Sequence, residues 1–324
     1  NGSINYFVNS HEQNCGHAAT GYAKSSIKPG VVMVTSGPGI TNMITPMLDA
    51  TNDSTPLVVF SGQVSLNAIG SNAFQEAPAV EISKHVTKWS YQIKCGEEIE
   101  YVIDKAFRIA NEGKKGAVHI DLPKCVLSST ILLKTIKNYN KLYGNTNNSY
   151  ENNKSTHLNK FKMFLNKIGG TNIQSTINVI NNSKKPVLYI GQGCNNDYKL
   201  LREFAIKGNI PVTTTIHANG CFDEGHPLSL RWCGMHGSPI ANYSIQDSDC
   251  IIALGSRFDD RITGLVAKYA PKAFEAYKKG TGGIIHVNIE EGEINKVVDS
   301  HYNYNMTCKD FLVQGLKYIK FKLF

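Results

Sequence analysis

The stretch Val31-Val32-Met33-Val34-Thr35-Ser36-Gly37-Pro38-Gly39-Ile40-Thr41-Asn42 decides the fold class. It reads as a buried strand that runs into a Gly/Pro turn and then opens a helix, with Thr41 and Asn42 as possible caps. An apolar run without polar alternation is the mark of a parallel strand covered on both faces. Free amides at such a junction can hold an anion, and a tight structural turn accounts for the same residues equally well.

The same pattern recurs along the chain. Further strands are expected over 57–61, 117–121, 187–191, 211–215, 251–255 and 284–289, with the first over 31–35. Helical patterns lie between them, for example over 11–24, 97–112, 200–207 and 239–246. Strand–helix alternation predicts an α/β protein with doubly wound parallel sheets. At 324 residues the chain is long enough for two such domains. Seven of the seventeen residues over 138–154 are Asn, and 134–170 carries seven Lys against one Glu. This stretch predicts a solvated linker over 134–159, between a domain over 1–133 and another over 160–324.

Composition excludes several classes. The 41% apolar and 19% charged residues are those of a globular protein rather than a disordered one. No apolar run approaches the ~20 residues of a membrane helix. The net charge of +8 is concentrated in the Asn/Lys stretch, so no basic folded face for nucleic acid is expected. The eight cysteines form no Cys-x-x-Cys pair and no zinc-finger spacing, which favours buried thiols in a reducing compartment. The phosphate-binding Gly-x-x-x-x-Gly-Lys-Ser/Thr pattern, the zinc-protease pattern and the nucleophile-elbow pattern are all absent. The run Gly191-Gln192-Gly193 begins like a dinucleotide fingerprint but lacks its third glycine.

Four segments carry candidate chemistry. Ser10-His11-Glu12-Gln13 offers a capping box between Ser10 and Gln13, which puts the Glu12 carboxyl in the first helical turn. There it either complements the helix dipole or serves a ligand at a strand–helix junction. The second segment is the Gly37-Pro38-Gly39 turn. The third is Ser61-Gly62-Gln63-Val64 with Ala73-Phe74-Gln75-Glu76, where Phe74 could be core and Glu76 solvated. The fourth is Gly255-Ser256-Arg257-Phe258-Asp259-Asp260-Arg261, four charges directly after a buried strand. It reads either as an ion-pair cluster or as a place to meet phosphates, for which the arginine fork is suited.

Taken in order, these segments resemble the catalytic subunit of the acetolactate synthase (acetohydroxyacid synthase) family of thiamine-diphosphate enzymes. The resemblance is carried by His11-Glu12-Gln13 with Gly16-His17-Ala18, Val34-Thr35-Ser36-Gly37-Pro38-Gly39, Gly62-Gln63-Val64, Ala73-Phe74-Gln75-Glu76-Ala77, Thr87-Lys88-Trp89, Asp121-Leu122-Pro123-Lys124, Gly234-Met235-His236-Gly237 and Arg257-Phe258-Asp259-Asp260-Arg261. The last block and Gly282-Gly283-Ile284-Ile285-His286 look most like fungal members.

The resemblance implies a pyrimidine-binding domain over 1–133 and a central, FAD-binding domain over 160–324. It also implies that the chain is a fragment. The family's first strand and its third domain, whose Gly-Asp-Gly motif holds Mg²⁺ and the diphosphate, are expected to be absent, so that the chain alone is inactive. In that family a glutamate in a dry pocket hydrogen-bonds N1′ of the aminopyrimidine, pyruvate is decarboxylated and a second 2-keto acid, pyruvate or 2-ketobutyrate, is condensed with it. This is a transferase step of branched-chain amino-acid biosynthesis. Glu12 matches the glutamate, and Gln75 is assigned with it to catalysis. Phe74, Lys124 and Ser65 match the substrate and inhibitor channel, with Ser65 in place of a proline. Lys114, Gly191, Gly193, Thr215, Gly234, Met235, His236, Gly255, Ser256, Arg257, Asp259 and Arg261 match FAD contacts. Lys114 stands where an arginine is usual and so lacks its planar fork; Gln192 stands where a small residue is usual.

The family also implies a homodimer or higher oligomer, a regulatory small subunit and, from the fungal resemblance, a mitochondrial location, otherwise a cytoplasmic one. The alternatives are a short non-catalytic chain that binds flavin or pairs with a partner, and another thiamine-diphosphate decarboxylase or carboligase.

Overall fold

The structure is a computed structural model that describes residues 4–130 and 172–322. The chain divides into two compact units, Asn1–Asn159 and Lys160–Phe324. The expected Asn/Lys linker over 134–159 lies outside the described residues.

In the first unit α1 (Glu12–Ser26) leads into β1 (Gly30–Val34), followed by α2 (Pro38–Asn42), α3 (Ile44–Asn52), β2 (Leu57–Gln63), α4 (Ala79–Ser83), β3 (Trp89–Gln92), α5 (Ile99–Asn111), β4 (Ala117–Pro123) and α6 (Lys124–Leu127). The four strands form a parallel sheet in the order β1-β2-β4-β3. The central strands β2 and β4 are buried nearly throughout. Val58, Val118 and Ile120 pack with Val102, Ala106 and Ala110 of α5, whereas Leu57, Val59 and Ala117 pack with Met43, Met47 and Ala50. Helices therefore cover both faces, which is why these two strands are apolar without alternation.

The second unit contains α7 (Ile173–Asn182), β5 (Pro186–Ile190), α8 (Tyr198–Gly208), β6 (Val212–Thr214), β7 (Ser229–Trp232), α9 (Pro239–Asp247), β8 (Cys250–Leu254), α10 (Asp260–Thr263), α11 (Pro271–Lys278), β9 (Gly283–Asn288), β10 (Tyr302–Asn305) and α12 (Cys308–Gly315). Its parallel sheet runs β10-β9-β8-β5-β6-β7. Counted from β5, this is the order 6-5-4-1-2-3, the doubly wound arrangement whose direction of winding reverses between its first and fourth strands, here β5 and β8. One face packs Leu188, Ile190 and Ile252 against α7, α8 and α12, and the other packs Tyr189, Ile251 and Ile284 against α9 and α11.

All seven expected strands form, within two residues of their expected limits. Three strands carry no signal of the expected kind: β3, β7 and β10. All three are edge or partly exposed strands with mixed polarity, so an apolar-run criterion passes over them. Strand β1 is also an edge, and its Val31 and Met33 are exposed rather than covered.

Two capping expectations change. Helix α1 begins at Glu12, so the cap is His11, whose Nδ1 accepts from the Gln13 amide at 3.1 Å, and the Ser10–Gln13 box does not form. Helix α2 begins at Pro38 with Gly37 as its cap residue, which leaves Asn42 at the helix end and free of a capping role.

Close approach sets the position of α1. A Cβ on Gly16 would lie 2.5 Å from Pro46 Cβ, and one on Gly30 would lie 2.3 Å from the Ala19 carbonyl oxygen. Both glycines let α1 lie directly on α3 and β1. Gly16→Val is expected to lower the stability of this unit by about 1–3 kcal/mol through overpacking. Urea denaturation of the variant against the natural chain checks this, and an unchanged midpoint would contradict the packing account.

Candidate functional site

In a parallel sheet the residues that follow the carboxyl ends of the strands share one edge, where ligands are met. In the first unit α1 runs back over the sheet, so its first turn returns to that edge. Asn42, at the end of α2, donates from Nδ2 to Glu12 Oε2 at 2.9 Å. This bond, helped by a backbone hydrogen bond at the helix start, holds the half-buried Glu12 carboxyl below the usual range, so it is a carboxylate at neutral pH. Glu12 is not enclosed by the described residues of this unit, so the dry pocket expected around it is not built here. Asn42 was visible in the sequence only as a cap candidate.

The Gly37 turn and the Phe74–Gln75 loop meet at the same edge. Gly37 has φ +60°, and a Cβ on it would lie 2.9 Å from the Gln75 carbonyl oxygen. Its job is a close backbone approach. Gln75 itself adopts φ +60°. Phe74 is 88% exposed and is no part of the core. Glu76 is not simply solvated: its carboxylate accepts from the Gly70 amide at 2.5 Å and the Ala73 amide at 3.0 Å, closing the loop on itself. The Leu66 amide lies 3.3 Å from Cys125 Sγ, which brings the Ser65 and Lys124 backbones into one neighbourhood after β2 and β4. Lys114, in contrast, lies in the turn before β4, at the opposite edge of this sheet.

Beneath that edge is a buried polar chain that sequence reasoning missed. Ser83 Oγ is 2.7 Å from His119 Nδ1, His119 Nε2 is 2.8 Å from Ser61 Oγ, and Ser61 Oγ is 2.7 Å from Asp121 Oδ1. Asp121 Oδ2 accepts from Gln63 Nε2 at 3.2 Å and Gln92 Nε2 at 2.9 Å. Burial pushes the Asp121 carboxyl up, and the three donors oppose this. Burial pushes His119 down to about 4, so it is neutral. With Asp121 ionised, Ser61 donates to it, His119 carries its proton on Nε2, and Ser83 donates to Nδ1. With Asp121 protonated on Oδ1, the donors along the Ser61–His119–Ser83 chain reverse and Ser83 turns its proton to the Ala79 carbonyl, 2.8 Å away. The signal available in the sequence was the polar residues at 61, 63, 119 and 121 inside two otherwise apolar strands.

In the second unit the loops after β5 and β8 lie at the switch point. A Cβ on Gly191 would lie 2.2 Å from the Gly255 carbonyl oxygen, and one on Gly193 would lie 2.7 Å from Gly255 Cα. Thr215 follows β6 and donates its amide to the Ile190 carbonyl at 2.8 Å. Three side chains hold the segment 255–257. His286 Nε2 and Asn288 Nδ2 each donate to the Ser256 carbonyl at 3.0 Å, and Tyr189 Oη donates to the Arg257 carbonyl at 2.7 Å. The Ser256 hydroxyl is buried and has no partner among the described residues. Gly234 has φ +106°, and the Met235 amide donates to the Arg261 carbonyl at 2.8 Å, joining those two segments. His236, Asp259 and Arg261 are exposed. Among the described residues Arg261 and Asp260 make one loose pair at 3.9 Å, so the charged segment forms no dense ion-pair cluster there.

Residues 1–82 match the description "Thiamine pyrophosphate enzyme, N-terminal TPP binding domain", and residues 173–314 match "Thiamine pyrophosphate enzyme, central domain". The chain belongs to the thiamine pyrophosphate enzyme family. Within that family it is 46% identical over 300 residues to the mitochondrial acetolactate synthase catalytic subunit of Saccharomyces cerevisiae, covering 92% of this chain and 42% of the relative. It is 44% identical to the mitochondrial acetolactate synthase of Schizosaccharomyces pombe (89% and 42% covered) and 36% identical to the chloroplastic acetolactate synthase of Arabidopsis thaliana (97% and 43% covered). The chain thus spans less than half the length of these curated relatives. Among the described residues no helix is long and apolar enough to cross a membrane.

Two tests follow from this geometry. Asn42→Leu removes the largest influence on Glu12 and is expected to raise its pKa towards 4.5, read by NMR titration of the carboxyl; an unmoved titration contradicts the assignment. His119 titrates near 4 in the folded chain against 6.5 in the unfolded one, so its contribution is full above pH 6.5 and is lost as pH falls towards 4. About 2 kcal/mol should disappear between pH 7.5 and 5, offset in part by Asp121, whose raised pKa acts in the opposite sense at lower pH. His119→Asn should flatten this slope in pH-dependent denaturation.

Proposed function

We propose that this chain supplies the pyrimidine-binding and central domains of an acetolactate synthase, which decarboxylates pyruvate and condenses it with a second 2-keto acid. The observation that carries this reading is the Glu12 carboxylate, oriented by Asn42 in the first turn of α1 at the carboxyl edge of a parallel sheet. The identity to acetolactate synthases over most of this chain supports it. The chemistry of the donor set suits thiamine diphosphate: a fixed carboxylate is what holds a proton at N1′ of an aminopyrimidine. Thiamine diphosphate supplies the electron sink for decarboxylation of a 2-keto acid. Phe74, Gln75, Lys124 and Ser65, on the same edge, are assigned to the substrate side, with Gln75 next to the reacting atoms.

FAD fits the second unit. The Ser256 hydroxyl, without a partner among the described residues, lies at the switch point of a doubly wound sheet, with Arg257 beside it and Arg261 nearby in sequence. Gly191, Gly193, Thr215, Gly255, Ser256, Arg257, Gly234, Met235, His236, Asp259 and Arg261 are the residues assigned to hold it. In this reading FAD is a structural ligand. Lys114 is assigned to FAD by resemblance alone. Use of Mg²⁺ and of 2-ketobutyrate, self-association, a regulatory small subunit and a mitochondrial location complete the proposal; fungal relatives named as mitochondrial support the last.

Glu12→Gln, placed in the natural full-length polypeptide, should lower acetolactate formation by roughly 10²–10⁴-fold, the usual worth of a proton-transferring group. Circular dichroism and flavin absorbance should not change. Activity within a few-fold of the natural enzyme would overturn this reading.

A further inference from the structure

The Gln63 side chain uses every hydrogen-bonding group it has. Its Nε2 donates to the Ala77 carbonyl at 2.8 Å and to Asp121 Oδ2 at 3.2 Å, and its Oε1 accepts from the Val64 amide at 2.9 Å. Turning the amide over would lose all three bonds, so its orientation is fixed. The three partners belong to three different parts of the fold: the end of β2, the interior of β4, and the base of the loop that carries Phe74 and Gln75. Glu76 closes that loop on the Gly70 and Ala73 amides, so the loop is a braced unit whose far side is tied down at Ala77. Gly37 presses on the Gln75 backbone from the β1 side.

We propose that Gln63 is a positioning residue: it clips the Phe74–Gln75 loop to the buried Asp121 and thereby fixes where that loop meets the 2-keto acid substrate. This rests on the substrate-side assignment made under Proposed function. Gln63 is 6% exposed and reaches substrate through the loop alone. The clip needs an acceptor at Asp121, not a charge. An Asn at 121 can present its carbonyl oxygen to Gln63 and Gln92 and its amide to Ser61, because the Ser61–His119–Ser83 chain can reverse its donors.

The test uses the natural full-length polypeptide with Gln63→Met, which keeps the volume and loses the donors, and Gln63→Asn, which keeps an amide one methylene too short to span. Asp121→Asn is the comparison. Hydrogen exchange of the amides over 70–77 should accelerate roughly tenfold in both Gln63 variants, about the worth of the hydrogen bond that ties the loop at Ala77, and stay within about twofold in Asp121→Asn. The KM for pyruvate should rise roughly tenfold in the Gln63 variants, while kcat and thiamine-diphosphate affinity change little. Natural exchange rates in both Gln63 variants, or Asp121→Asn accelerating as they do, overturns the clip. A loosened loop with an unchanged KM overturns the substrate role. If the unmutated polypeptide forms no acetolactate, the reading under Proposed function falls, and the exchange comparison still decides the clip.

Discussion

A carboxylate taken out of water needs compensation, and Asp121 receives it from hydrogen-bond donors: Ser61, Gln63 and Gln92. Much of the first unit follows from this arrangement. The three donors come from β2 and β3, the two neighbours of β4, so satisfying one carboxylate also fixes the register of three strands. Ser61 stands directly opposite Asp121 in the β2–β4 register, and Gln92 stands opposite it from β3. A slip of one residue would leave the carboxylate unmatched and turn every apolar side chain to the wrong face. The polar chain through His119 and Ser83 extends the same constraint to α4.

The second unit achieves order at the carboxyl edge of its sheet by a different means. There the backbone itself is the fixed object. Carbonyls of Ser256 and Arg257 are gripped by side chains from β9 and β5, and the two glycine loops touch backbone to backbone. A rigid edge of this kind can present arginines and a serine hydroxyl without reorganising, which is the condition for tight capture of a large, flexible ligand.

The strands that form the cores were legible because burial on both faces leaves a continuous apolar run, as in 57–60 or 251–254. β7 and β10 were not legible, because an edge strand mixes polar and apolar residues much as a loop does. For the site, Glu12 was legible as a carboxylate at a helix start, and its assignment came from the order of motifs rather than from any local pattern. Asn42 was read only as a possible cap, and Gln63 and Asp121 were quoted within motifs without a role, because each acts through a partner 30 to 60 residues away. Spacing along a chain does not encode such pairs. At Phe74 the residue type left a core position open, and the loop that bears it turns the ring outward.

The contact between Gly191 and Gly255 bears on how this family's sequences should be read over evolutionary time. These glycines are demanded by two loops lying against one another, and a methyl group at 191 would strike main-chain atoms that cannot yield. The demand persists whether or not a flavin is bound. On the proposed FAD assignment, a descendant that bound no flavin would therefore keep both glycines for as long as it kept the fold. The loss would be written instead at Ser256, Arg257 and Arg261, whose side chains have no packing reason of comparable strictness to remain what they are.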